Sequence, residues 1–171
     1  MFLMIGLVVP LVGMALVARA AEAPKVGDTA PDFMASASDG STVKLKDALG
    51  KGPVVIYFYP KDDTPGCTQE ACSFRDDHEK FQKLGATIYG VSNDTIESHK
   101  AFIIKFKLPF LLLVDTKKKI SAAYGAGRSG FPSRITFVIG KDGKIAYSNL
   151  AVDENIAGQS AELQEVIGKL K

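Results

Sequence analysis

The sequence predicts an α/β domain in which a mixed central sheet is flanked by helices, with an N-terminal hairpin as an extension. Three observations carry that prediction. Runs of β-branched, aromatic and aliphatic residues recur at 53–59, 86–92, 111–114 and 135–139, without the alternation of a half-exposed strand. Amphipathic segments of helical length fall between and after these runs. The length, 171 residues, fits one core plus a short appendage.

The elements follow in order. Asp39-Gly40, between apolar-polar stretches at 33–36 and 42–45, is a two-residue hairpin signal. The run at 53–59 reads as a central strand, and Pro60 stops it. Thr64-Pro65 then opens a helix, with a hydroxyl residue at the cap and proline at the first helical position. That helix is expected to run through Phe74 and Phe81 to Leu84, with Gly85 just past its end. A second buried strand at 86–92 leads into a helix over 96–106, capped by Asp94 or Thr95. Strands at 111–114 and 135–139 follow, and a turn at 141–144 returns the chain as 145–148. A last helix over 160–170 places Leu163, Val166, Ile167 and Leu170 on one face. Among known arrangements this order fits a thioredoxin-like fold best.

Composition is that of a soluble globular chain, with 46% apolar and 23% charged residues. A net charge of +2 is too small to imply nucleic acid or an anionic membrane surface as a partner. The first twenty residues differ from the rest. From Phe2 to Ala18 there is no charged side chain, and Ala18-Arg19-Ala20 is a small-x-small triplet. Residues 1–20 therefore read as a secretory signal, with a mature domain over 21–171 that has no stable membrane association. The expected destination is the periplasm, with a thylakoid lumen as the alternative. An uncleaved anchor is the other reading, although Pro10 and Gly13 interrupt a run at the short limit for spanning. No Lys or Arg precedes the apolar run, so the usual basic n-region is missing.

Cys67 and Cys72 are the chain's two cysteines. As a structural staple they would do little, because so short a loop gains little chain entropy on closure. As a redox centre the pair makes sense. With Thr64 as cap, Pro65, Gly66 and Cys67 occupy a helical first turn, where unpaired N–H groups and the helix dipole favour a thiolate. Ionisation has a ceiling as a device, since an ordinary thiol near pKa ~8.5 is already about 3% ionised at pH 7. Fast chemistry also needs donors aimed at a leaving oxygen, for which the Thr64 hydroxyl, the first-turn N–H groups and Arg134 are the candidates. On a straight helix, positions five apart have Cα atoms roughly 8.6 Å from each other, beyond the ~7 Å reach of a disulfide. A Cys67–Cys72 bond therefore requires the helix start to unwind.

The stretch Pro60-Lys61-Asp62-Asp63-Thr64-Pro65-Gly66-Cys67 resembles the peroxiredoxin active-site signature. Extended through Thr68-Gln69-Glu70-Ala71-Cys72, it is similar to the peroxiredoxin Q or bacterioferritin comigratory protein subfamily. The likeness continues at Lys25 to Phe33, at Tyr89-Gly90-Val91-Ser92, at Glu97 to Phe102 and at Arg134 to Ile139. It implies a thioredoxin fold, no cofactor, and hydrogen peroxide or organic hydroperoxides as substrates. It further implies a peroxidatic Cys67, a resolving Cys72, supporting roles for Pro60, Thr64 and Arg134, a monomer, and a thioredoxin-like dithiol as reductant. Gly140 departs from the family's frequent Asp at the turn before Lys141.

Other residues have plainer readings. Arg134 could pair with a core carboxylate, Glu70 being a candidate, and Glu70 could equally be a charge on a helix face. His78 and His99 have no metal-ligand spacing and are expected on solvated helix faces. Lys117-Lys118-Lys119 reads as a solvated helix start, and Arg75 as structural. Two rival functions remain at this point. One is a thiol–disulfide oxidoreductase, which usually has two residues rather than four between its cysteines. The other is a binding domain whose two cysteines form a structural clip.

Overall fold

The computed structural model describes residues 22–127 and 130–170. A hairpin comes first, made of β1 (Met34–Ser36) and β2 (Thr42–Lys44), followed by the short helix α1 (Leu45–Leu49). Then come β3 (Val54–Phe58), α2 (Pro65–Asp76), α3 (His78–Lys83), β4 (Thr87–Ser92) and α4 (Ile96–Phe106). The chain finishes with β5 (Leu111–Val114), α5 (Lys119–Ala123), β6 (Ile135–Ile139), β7 (Ile145–Asn149) and α6 (Gln159–Gly168). The central sheet has the order β5-β4-β3-β6-β7. β3, β4 and β5 run parallel, and β6 is antiparallel to both of its neighbours, so the sheet is mixed as expected.

Both faces of the sheet are covered, which is why its strands read as continuous apolar runs. Val54, Ile56 and Phe58 face a core completed by Ala35, Val43, Leu45 and Ile120 from the hairpin, α1 and α5. Val55 and Tyr57 face the opposite core, with Phe74, Phe81, Phe102 and Leu163 from four helices. The alternation of β3 side chains between two apolar layers makes it the centre of the domain and fixes where its C-terminal end emerges.

Three local differences from expectation have physical causes. The hairpin loop has three residues, 38–40, because Gly40 donates to the Ala37 carbonyl and Ala37 pairs with the Ser41 carbonyl; Gly40 takes the left-handed position (φ 89°) that this loop requires. The expected long helix breaks at Asp77, whose backbone leaves helical geometry (φ −99°, ψ 7°). Its carboxylate there accepts from Ser160 Oγ at 2.7 Å and Gln164 Nε2 at 3.0 Å. The helix α1 was not expected, being too short to show a period, whereas α5 begins at Lys119, within the run read as a helix start. Finally, the first twenty residues lie outside the described residues.

Candidate active site

The loop after β3 leads into the helix that holds Cys67. Pro60 sits half-buried at the bend where the strand ends. Asp62 is buried, and Asp63 adopts a left-handed backbone (φ 56°), a conformation that Asp tolerates better than most residues. The Asp63 carboxylate holds Lys105 Nζ of α4 at 2.6 and 2.8 Å. Thr64 is extended and stands at the N-cap position of α2, with Pro65 first in the helix, as expected. Its hydroxyl, however, makes no cap bond to the helix. It donates to the Lys61 carbonyl at 3.0 Å, so its proton is committed and a lone pair remains to accept from an incoming O–H.

Cys67 lies in the first turn of α2 and is 1% exposed, while Cys72 is half-buried on the same continuous helix. Both thiols are free. The intact helix keeps them apart by the geometric argument above, which sets aside a structural clip in this state.

Arg134 immediately precedes β6 and reaches across to α2. Its Nη2 lies 3.5 Å from Cys67 Sγ, its Nη1 donates to Glu70 Oε2 at 2.6 Å, and its Nε donates to Asp153 Oδ1 at 2.6 Å. Sequence reasoning posed thiol and carboxylate as alternative partners of this guanidinium; the structure gives it both. Burial works against its charge, but Glu70 and Asp153 outweigh burial and hold it above the usual arginine range. Glu70 is fully buried, and burial raises its carboxyl to about 7 against the opposing pull of Arg134. Its second oxygen, Oε1, has no partner among the described residues. Glu70 is thus an orienting partner of Arg134 rather than a charge on a solvated face.

His99 also departs from expectation. It is 0% exposed, not on a solvated face. Its Nδ1 lies 2.8 Å from Asp62 Oδ2 and its Nε2 lies 3.3 Å from the Leu113 carbonyl. The signal that sequence reading missed is the match between a buried carboxylate in one loop and a histidine 37 positions later. Lys117, Lys118 and Lys119 are exposed as expected, and Arg75 ties α2 to α4 through the Phe106 carbonyl at 2.9 Å.

A thiol at a helix start with a guanidinium against it suits a reaction in which charge builds on a departing atom. On this mixed sheet it defines a cysteine-based oxidoreductase of thioredoxin-like fold. The chain belongs to the AhpC/TSA family, whose model matches residues 26–148. Within that family it groups with the peroxiredoxins, which are thiol peroxidases. It is 42% identical over 156 residues to Peroxiredoxin Bcp of Bacillus subtilis (strain 168), covering 85% of this chain and 98% of that protein. It is 48% identical over 128 residues to the chloroplastic Peroxiredoxin Q of Sedum lineare, covering 72% of this chain and 68% of the relative. Against the Triticum aestivum Peroxiredoxin Q it is 47% identical, and the match spans only 57% of that protein's length. Among solved structures, Peroxidoxin BcpB from Mycobacterium tuberculosis superposes with a TM-score of 0.81 at 31% identity, covering 86% of this chain and 99% of that one. Xanthomonas campestris Peroxiredoxin Q gives 0.73 at 31%, covering 80% and 90%.

These relatives correct one expectation. Assignment to an exported compartment, with the periplasm as destination, does not stand. The plant relatives are chloroplastic proteins, and the Bacillus relative is a Bcp peroxiredoxin.

Proposed function

We propose that this chain reduces hydrogen peroxide and organic hydroperoxides with Cys67 as the attacking sulfur. The sulfur attacks one peroxide oxygen; the S–O bond forms as the O–O bond breaks, and the departing oxygen leaves as hydroxide or alkoxide and takes up a proton. The carrying observation is the Arg134 Nη2 at 3.5 Å from Cys67 Sγ, a fixed positive group where charge develops. The first-turn N–H groups of α2 add to it, and the free lone pair of Thr64 can accept the peroxide O–H. Pro60 restrains the loop that holds them.

Cys72 then acts as the resolving thiol. The start of α2 unwinds, the Cys72 sulfur bonds to Cys67, the S–O bond breaks and water leaves. A thioredoxin-like dithiol reduces the resulting disulfide by exchange. Both sulfurs belong to one helix of one chain, so the cycle needs no second copy, and the protein works as a monomer. Membership of the AhpC/TSA family disfavours the oxidoreductase and binding-domain rivals.

Cys72→Ser tests the division of labour. It should leave one rapid oxidation of Cys67 per molecule while abolishing sustained peroxide consumption with thioredoxin. Undiminished turnover of that variant with the same donor would remove Cys72 from the cycle.

A further inference from the structure

Nothing in the cycle above uses the buried pair Asp62 and His99, yet Asp62 lies two residues from Pro60 and two from Thr64. Asp62 is 6% exposed and His99 wholly buried. Asp62 Oδ1 accepts from Tyr59 Oη at 2.7 Å, and Oδ2 accepts from Ser98 Oγ at 2.7 Å and faces His99 Nδ1 at 2.8 Å. Its backbone N–H donates to Asp94 Oδ2 at 2.9 Å, and Asp94 is held in turn by Ser92 Oγ at 2.7 Å. His99 is pinned from behind by the Leu113 carbonyl of β5. Burial works to raise the Asp62 carboxyl, but the bonds from His99, Tyr59 and Ser98 outweigh it and hold it below the usual range. A buried carboxylate with this many partners is rigid, and removing one partner is costly.

What it holds is the loop's shape. On one side of Asp62 is the Lys61 carbonyl that takes the Thr64 proton; on the other is Asp63, kept left-handed with its side chain on Lys105. Rotation of either peptide would turn the Thr64 oxygen away from the start of α2, where Cys67 sits. We propose that Asp62 and His99 are a positioning pair for peroxide reduction, fastening the 60–64 loop to α4 so that Thr64 presents its oxygen beside Cys67. Neither residue touches substrate. The proposal rests on the reading of Cys67 as the sulfur that peroxide oxidises.

The test uses full-length reduced protein, with hydrogen peroxide and iodoacetamide as separate probes of Cys67. Misplacement by a fraction of an ångström costs peroxide chemistry much more than simple alkylation, so His99→Phe and Asp62→Asn should slow peroxide oxidation roughly 10- to 100-fold. Alkylation should change less than about threefold, because it needs no aligned Thr64. His99→Gln, which keeps a donor for Asp62, should recover to within about fivefold of wild type and serves if His99→Phe fails to fold. Because the pair acts through Thr64, adding His99→Gln or Asp62→Asn to Thr64→Val should cost no more than about twofold beyond Thr64→Val alone. Peroxide and alkylation rates falling in parallel, or losses that add in full to Thr64→Val, would overturn the positioning role. So would peroxide rates unchanged in folded His99→Phe and Asp62→Asn proteins. Oxidation mapped to a sulfur other than Cys67 in wild type would instead overturn the reading of Cys67, and this proposal with it.

Discussion

Replacing Arg134 with Met should do two separable things. The side chain contributes a donor 3.5 Å from Cys67 Sγ and a charge 2.6 Å from a fully buried Glu70. Loss of a preorganised donor aimed at a leaving oxygen typically costs about 10²- to 10³-fold in rate, and that is the expected fall in single-turnover oxidation by peroxide. Stability should fall in a pH-dependent way. The Glu70 carboxyl is raised from 4.5 to about 7 in the folded protein, so its contribution is complete below pH 4.5 and is lost as pH rises through about 7. Removing Arg134 takes away an influence that lowers this value, so the variant's window extends further upward. Breaking a buried pair by deleting one partner costs about 3 kcal/mol where the orphan is charged, or roughly 6–12 °C in Tm for a domain of this size. Where Glu70 is protonated in both proteins the cost should be small, since the remaining partner, Asp153, is 75% exposed. Thermal unfolding of both proteins from about pH 5 to about pH 8.5 measures the gap, which should open through neutrality. A gap constant across that range, or a peroxide rate within about tenfold of wild type, would refute the reasoning.

Two further substitutions probe the same frame. A Cβ at Gly66 would stand 3.0 Å from Arg134 Nη2 and 3.7 Å from Ile156 Cδ1. Gly66→Ala should therefore push the guanidinium off Cys67 and slow peroxide oxidation roughly tenfold, with little change in Tm. A Cβ at Gly90 would meet Tyr57 Cζ, Tyr57 Oη and Leu112 Cδ2 at 2.7 Å, inside a packed layer. Gly90→Ala should destabilise the domain by about 1–3 kcal/mol, read by denaturant unfolding, while peroxide oxidation of the folded fraction holds.

The sheet was legible because its strands are buried on both faces, so β3 to β6 appear as unbroken apolar runs such as Val54–Phe58 and Ile135–Ile139. Thr64-Pro65 marked the start of α2 because cap and first-turn preferences are local. What was not legible depends on distant partners. Phe74 and Phe81 keep an apolar spacing through Asp77, and only the contacts of Asp77 with Ser160 and Gln164 on α6 reveal the break. Ser98-His99-Lys100 looks like a polar helix face, and the reason to bury His99 is a carboxylate on another loop. The Thr64 hydroxyl was assigned to donation, whereas the turn at 61–64 commits its proton to Lys61. Glu70 and Arg134 are 64 positions apart, so their pairing could be named as an option but not placed against Cys67.

The most direct measurement mixes reduced protein with one equivalent of hydrogen peroxide, quenches at successive times and maps both cysteines by mass spectrometry. One added oxygen should appear first on Cys67 and then give way to a bond between Cys67 and Cys72 with loss of water. An oxygen first found on Cys72, or a Cys67 that stays unmodified while peroxide is consumed, would contradict the account.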